Sequence, residues 1–333
     1  MRVLVLSHHD VLAALPAAAC AEAMAEVLAA RARGEAYLPL RSVMMPPGAA
    51  GFMGLMPGWR GAHDGGAAAF GLKAVCIMPG NPARGLDAHQ GIVTLFDGQT
   101  GQPTAILDAS AITERRTAAV TAVATEALAR RDARVLAILG AGVQARSHLE
   151  ALAPVRAFEQ VRIYSPTQAH ARRLAQDGAA LAGGAELTAA GSAQEALAGA
   201  DVVVTATSSR EPVLRRDWLA AGAHVNAVGA SSPQSRELDT ATVVAGALFC
   251  DSRESLRNEA GEFRLAIAEG LIPGEEHVRA ELGEVLAGTA AGRGDDAELT
   301  VFRSLGLAVE DLAAAQRAVA AAAERGLGTE IEL

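Results

Sequence analysis

The stretch from Val135 to Ala145, V-L-A-I-L-G-A-G-V-Q-A, constrains the fold of this chain more than any other. A short apolar run enters two glycines, and a helix-forming segment follows from Gln144 to about Leu152. An unbroken apolar run of this length suits a strand covered on both faces of a parallel sheet. Gly140 and Gly142 let the backbone turn tightly and approach a bulky anion. The helix then points its unpaired N–H groups and the positive end of its dipole at that anion. With Ala145 in the third small position, the stretch fits the G-x-G-x-x-G/A pattern of dinucleotide-binding turns. The competing reading is a glycine turn without a ligand. The strand before, the helix after and a further strand at 161–164 favour the ligand.

Around this unit the pattern alternates. Strands are expected at 135–139, 161–164, 186–188, 202–205, 224–228 and 247–250, with helices such as 168–182 and 193–197 between them. Alternation of this kind predicts a doubly wound parallel sheet. The first third reads differently. A short strand at 3–6 leads into one helix capped by Ser7 or Asp10 and ended by Gly34. Strands follow at 36–45, 49–57 and 67–78, separated by P-P-G, P-G-W-R-G and P-G-N-P turns. A hairpin pairs 89–96 with 103–107 around D-G-Q-T-G, so this third is antiparallel in character. A long helix from Ser110 or Thr113 to Arg130 bridges to the alternating part. After Cys250 the chain reads as acidic and helical, and a last helix at 307–325 packs back on the first part.

Composition narrows the function. The net charge of −9 comes without any basic block, which argues against nucleic acid as the partner. The three cysteines are far apart, and neither they nor the eight histidines have metal-ligand spacing, so no metal site is expected. No apolar run reaches the length of a membrane span, and the reading is a soluble cytoplasmic protein with no membrane partner.

Folds that prefer NAD carry an acid near the end of the second strand, where it takes the ribose hydroxyls. Here that strand ends Tyr164-Ser165-Pro166-Thr167, without an acid. Ser165 and Thr167, with Arg172 and Arg173 one turn on, can hold a 2′-phosphate, so NADP(H) is preferred and NAD(H) remains possible. The two arginines read equally as solvated helix charges. The strand ends Thr205-Ala206-Thr207 and Val228-Gly229 lie where parallel strands meet a ligand, and they are assigned to the cofactor with Gly140, Gly142, Val143, Gln144, Ala145 and Ser304.

A carboxylate substrate needs a cation of fixed geometry, which arginine supplies bidentately. Arg41, in the strand L-P-L-R-S-V-M, and Arg116, in E-R-R-T-A-A, are the candidates. Lys73 sits in an otherwise apolar strand, F-G-L-K-A-V-C; burial there would lower its pKa and make it a proton donor, whereas an edge lysine would reach solvent instead. His89 and Gln90 open the next strand and can line the same cleft, although for a histidine a structural role is commoner than a catalytic one.

Together these segments resemble the ornithine cyclodeaminase/mu-crystallin family: L-P-L-R, G-L-K, R-T-A-A-V-T-A, G-A-G-V-Q-A, T-A-T-S-S, H-V-N-A-V-G-A-S-S-P with R-E-L-D, E-L-G-E-V and T-V-F-R-S-L-G-L-A-V-E-D, in order along nearly the whole chain. The resemblance implies a homodimer. It implies a Rossmann-type domain, 117–306, inserted into an α+β substrate-binding and dimerisation domain, 1–116 plus 307–333. It also implies hydride transfer at the α-carbon of an amino or imino acid, with Arg41 and Arg116 on the substrate carboxylate, Lys73 as catalytic lysine and the Gly140 turn on the pyrophosphate.

One departure decides the direction of the reaction. Deaminating relatives carry an acid after V-G-A/G; here that position is Ser231. Oxidising an amine needs a base for its proton, which a serine supplies poorly. Reducing a cyclic imine needs only protonation of the nitrogen. The expected activity is therefore reduction of a cyclic α-imino acid, such as 1-pyrroline-2-carboxylate or 1-piperideine-2-carboxylate, with Ser231 shaping the pocket or orienting a water. The alternatives are an ornithine cyclodeaminase or amino-acid dehydrogenase, and a crystallin-like protein that binds nucleotide without turnover.

Overall fold

Residues 1–63 and 66–333 are described by the computed structural model, and they divide into two units, Met1–Arg116 with Gly306–Leu333, and Thr117–Leu305. In chain order the elements are β1 (Arg2–Leu6), α1 (His8–Ala14), α2 (Ala17–Ala32), β2 (Ala36–Tyr37), β3 (Ser42–Met44), β4 (Phe52–Arg60), β5 (Ala69–Ile77), β6 (His89–Asp97), β7 (Pro103–Asp108) and α3 (Ala109–Leu128). There follow β8 (Val135–Leu139), α4 (Val143–Leu152), β9 (Gln160–Tyr164), α5 (Gln168–Asp177), β10 (Glu186–Ala189), α6 (Ala193–Leu197), β11 (Val202–Thr205) and β12 (His224–Ala227). The chain closes with α7 (Thr240–Ala245), β13 (Ala247–Cys250), α8 (Arg253–Glu259), α9 (Gly261–Ala268), β14 (Val278–Glu281), α10 (Leu282–Leu286), β15 (Thr300–Arg303), α11 (Ala308–Arg325) and β16 (Thr329–Glu332).

The first unit is one sheet, ordered β16-β1-β7-β6-β5-β4-β2, with β3 also on β4. It is antiparallel except where β1 pairs β7 in parallel. α11 covers β4, β5 and β6 and packs on α2. Glycines let it lie close: a Cβ at Gly71 would stand 2.9 Å from the Leu312 side chain, and one at Gly58 3.3 Å from Ala308. Side chains alternate across β5 and β6, so Lys73, Val75, Val93 and Leu95 are buried while Phe70 and Ile92 on the opposite face are 48% and 44% exposed.

Proline corrects two expectations here. The single N-terminal helix is two, because Pro16 lacks the N–H an uninterrupted helix requires; Ser7 caps α1 in a capping box with Asp10. The expected strand 36–45 is only β2 and β3, with Pro39 between them, and Arg41 stands one residue ahead of β3 rather than inside a strand. β4 runs through the expected P-G-W-R turn to Arg60; Pro57 is tolerated because it falls between the residues paired to β3 and those paired to β2.

The second unit is a parallel sheet ordered β10-β9-β8-β11-β12-β15-β13-β14. Its first five strands give the 3-2-1-4-5 order of a Rossmann-type dinucleotide fold. β14 and β15 correct the reading of the segment after Cys250 as helical, and β15 lies at the heart of the sheet, with Thr300, Val301, Phe302 and Arg303 all buried. α3 ends at Leu128 and α5 at Asp177, both short of the expected helix ends.

Candidate active site

In the first unit five charged side chains meet under α11. Lys73 points from β5 to the covered face and is 4% exposed. Its Nζ donates to Asp311 Oδ1 at 3.2 Å. The same oxygen accepts from Arg116 Nε at 3.0 Å, and Arg116 Nη1 donates to Glu310 Oε2 at 3.0 Å. Both acids sit in the first turn of α11, where the helix dipole favours negative charge, and Glu310 Oε2 also accepts the Leu307 amide at 3.1 Å. Arg41 Nη2 donates to the Gly306 carbonyl at 2.8 Å. Gly306, at φ +79°, lies so near Arg116 that a Cβ there would stand 2.4 Å from Nη1. The structure thus gathers Arg41, Lys73 and Arg116, from three distant segments, around the start of one helix. Burial pushes the Lys73 amine down to about 8; Asp311 opposes that fall, and Arg116 and Arg41 add to it. His89 is lowered by burial first, against the pull of Asp87, and Lys73 and Arg116 lower it further. Gln90 is exposed at the start of β6 and donates to the Asp87 carbonyl at 3.0 Å.

In the second unit the glycine turn has the geometry of a phosphate cradle. Gly140 is at φ +125°, and a Cβ on it would stand 2.4 Å from the Ala206 carbonyl oxygen. Gly142, the N-cap of α4, has open space where a Cβ would be and gives the helix no side-chain cap. The N-cap position of α4 thus offers no side chain to the first-turn amides, as suits an anion site. Val143 is 58% exposed at the helix start, Gln144 is half-buried, and Ala145 is fully buried where the helix meets the sheet. These residues fit a dinucleotide pyrophosphate.

Two buried side chains that the sequence reading did not single out shape the strand ends. Glu237 is fully buried and accepts four hydrogen bonds: Thr205 Oγ1 at 2.8 Å, Thr207 N and Oγ1 at 2.7 Å each, and Gly229 N at 2.7 Å. The hydroxyls of Thr205 and Thr207 and the Thr207 amide are thereby committed to Glu237, and the Thr205 carbonyl accepts the Val228 and Gly229 amides. Arg303, 1% exposed, donates to the carbonyls of Ala227 at 2.9 Å and Ser304 at 2.8 Å, and also to that of Ala230. It pairs with Glu262, whose carboxyl burial pushes up while Arg303 pulls it down. The only signal for Glu237 was its place in R-E-L-D; an arginine inside T-V-F-R was the signal for Arg303.

The remaining candidates spread along the same sheet. Ala206 N donates to the Leu139 carbonyl at 2.8 Å, and Val228 N to the Thr205 carbonyl at 3.0 Å. Ser304 is buried, its amide on the Ala227 carbonyl at 3.0 Å. Ser165 is buried, and Thr167 is the N-cap of α5 without a side-chain hydrogen bond. Arg172 and Arg173 are exposed, and Arg173 faces Asp177 at 3.7 Å. Ser231 is exposed in the turn after β12. Among the described residues no group of three His, Cys, Asp or Glu is placed to hold a metal, and no single helix is long and apolar enough to cross a membrane.

Comparison with known proteins gives four results. A model of the ornithine cyclodeaminase/mu-crystallin family matches residues 1–325. The ketimine reductase mu-crystallin of Mus musculus is 40% identical over 283 residues, 85% of this chain and 84% of that protein. Among solved structures, the Thermococcus litoralis delta(1)-pyrroline-2-carboxylate reductase in complex with NADH and L-proline superposes with a TM-score of 0.93 at 36% identity, over 99% of this chain and 100% of that one. An archaeal alanine dehydrogenase dimer with bound NAD superposes with a TM-score of 0.92 at 32% identity over the whole of both chains.

Proposed function

The chain belongs to the ornithine cyclodeaminase/mu-crystallin family, and within it we propose an NAD(P)H-dependent reductase of cyclic α-imino acids such as 1-pyrroline-2-carboxylate or 1-piperideine-2-carboxylate. One observation carries the reading: a buried lysine, partnered by Asp311 and flanked by two arginines, in a chain with Ser231 where deamination calls for an acid. The reductive relatives support it.

The substrate carboxylate is assigned to Arg41 and Arg116, the arginine cations that flank Lys73; Arg116 is itself held by Asp311 and Glu310. Lys73 gives a proton to the imine nitrogen; with its pKa near 8 the amine is charged at neutral pH and ready to donate. A bound dinucleotide supplies the hydride. The Gly140–Ala145 turn holds its pyrophosphate, and the strand ends pinned by Glu237 and Arg303 give the ribose and nicotinamide a fixed backbone surface. Ser231 shapes the pocket. Gln90 is assigned to the substrate side of the site.

The finer cofactor preference follows from the second strand. No acid stands at 164–167, and Ser165, Thr167 and Arg173 take a 2′-phosphate, so NADPH is preferred over NADH. The partner chain is a second copy. The open face of the first unit's sheet, with Phe70, Leu72 and Ile92, is apolar and turned away from α11, and the alanine dehydrogenase relative is a dimer.

A dinucleotide-oxidation screen tests the function. Cyclic imines with a carboxylate should drive NADPH oxidation, and their decarboxylated analogues should not. Ammonia release from ornithine or alanine, with no reduction of any imine, would replace this reading with the deaminating one.

A further inference from the structure

Lys73 is the only lysine in the chain, beside twenty-eight arginines. Arginine serves wherever a fixed cation is enough, but it holds its proton throughout the ordinary pH range. The single amine therefore stands at the one place where the reaction asks for a proton. Its contact is specific: Asp311, 1% exposed, accepts from Lys73 Nζ and from Arg116 Nε on the same oxygen.

We propose that Asp311 is a positioning residue that holds the Lys73 amine in its charged form and aims it for delivery of a proton to the imine nitrogen. This rests on the reductive reading above. In the step, the imine carbon receives hydride from the reduced dinucleotide and the nitrogen receives a proton from Lys73 Nζ. The C=N bond becomes single, the dinucleotide is oxidised, and the neutral lysine regains a proton from water.

The charged groups around Lys73 are Asp311 and Glu310 on α11, Arg116 on α3, Arg41 ahead of β3 and His89 on β6. Burial and the two arginines drive charge off the amine, and Asp311 opposes them through both its charge and its hydrogen bond. An opposite charge at this distance moves a titration by about one to three pH units. Without it, Lys73 should lose its proton well below its present midpoint.

The sole lysine makes the test direct. Protein labelled with 13C at the lysine Cε gives one lysine signal, whose pH titration belongs to Lys73. In Asp311→Asn the midpoint should move to lower pH by about one unit or more. The basic limb of the kcat profile for imine reduction should move with it, and Asp311→Glu should restore both. A structural role alone would lower stability or raise KM without moving either midpoint. An unmoved titration in a folded Asp311→Asn protein overturns the proposal. A wild-type chain that reduces no imine overturns the reductive reading and the proton-delivery half with it, while the titration still decides whether Asp311 sets the charge.

Discussion

Glu237 accepts the Gly229 amide at 2.7 Å, and the same carboxylate holds both Thr205 and Thr207. Two loops from neighbouring strands are thus pinned by one buried side chain. The space is tight: a Cβ at Gly229 would stand 2.2 Å from the Thr207 carbonyl oxygen. Four donors converge on this carboxylate, so Glu237→Gln would set an amide NH2 against them. A buried donor left unmatched costs about 1–3 kcal/mol. Denaturant unfolding should show a loss of that size, and dinucleotide binding should weaken. Unchanged stability and affinity would show that the loops hold without Glu237.

Gly140→Ala tests the cradle. The new methyl would meet the Ala206 carbonyl, and φ +125° is strained for any residue but glycine. Dinucleotide affinity should fall by about tenfold or more, which corresponds to roughly 1.4 kcal/mol. Nucleotide fluorescence titration reads the affinity, and full binding by the variant would remove the turn from the site.

The open sheet face can be probed without touching the charged cluster. Phe70→Asp puts a charge on that face, and on the dimer reading it should convert the protein to a monomer in light scattering. A dimer of unchanged stability would place the contact elsewhere.

Acid stability follows from two histidines. Burial holds His148 and His224 neutral, with their titrations pushed down to about 4 and about 3. The unfolded chain takes up these protons below about pH 6.5 and the folded chain does not, so stability is lost as pH falls through that window. Each group contributes a slope of about 1.4 kcal/mol per pH unit. Urea unfolding at pH 7 and pH 5 should show the loss, and His224→Gln should shrink it. Equal losses in the variant and the parent would assign the acid sensitivity to carboxylates instead.

What was legible in the sequence was local. The Val135–Ala145 turn declares itself because the apolar run, the glycines and the helix are adjacent. Lys73 stood out as a charge in an apolar strand. β15 was not legible: T-V-F-R is four residues long, and it becomes a central strand only by pairing β12 on one side and β13 on the other. Asp311 and Glu237 were hidden for the same kind of reason. Each is an ordinary acid in a helical or loop segment, and each acquires its role from partners 238 and 30 residues away. Pro16 stands in plain view in the sequence, and its missing N–H is enough to divide the N-terminal helix into α1 and α2.

The central claim is hydride addition to an imine carbon. The direct measurement incubates the protein with 1-pyrroline-2-carboxylate and a reduced dinucleotide carrying deuterium at the transferable C4 position. Proline one mass unit heavier, with the deuterium on the α-carbon, and loss of that product in Lys73→Ala, is the expected result. Unlabelled proline, or no proline while ornithine releases ammonia, would contradict it.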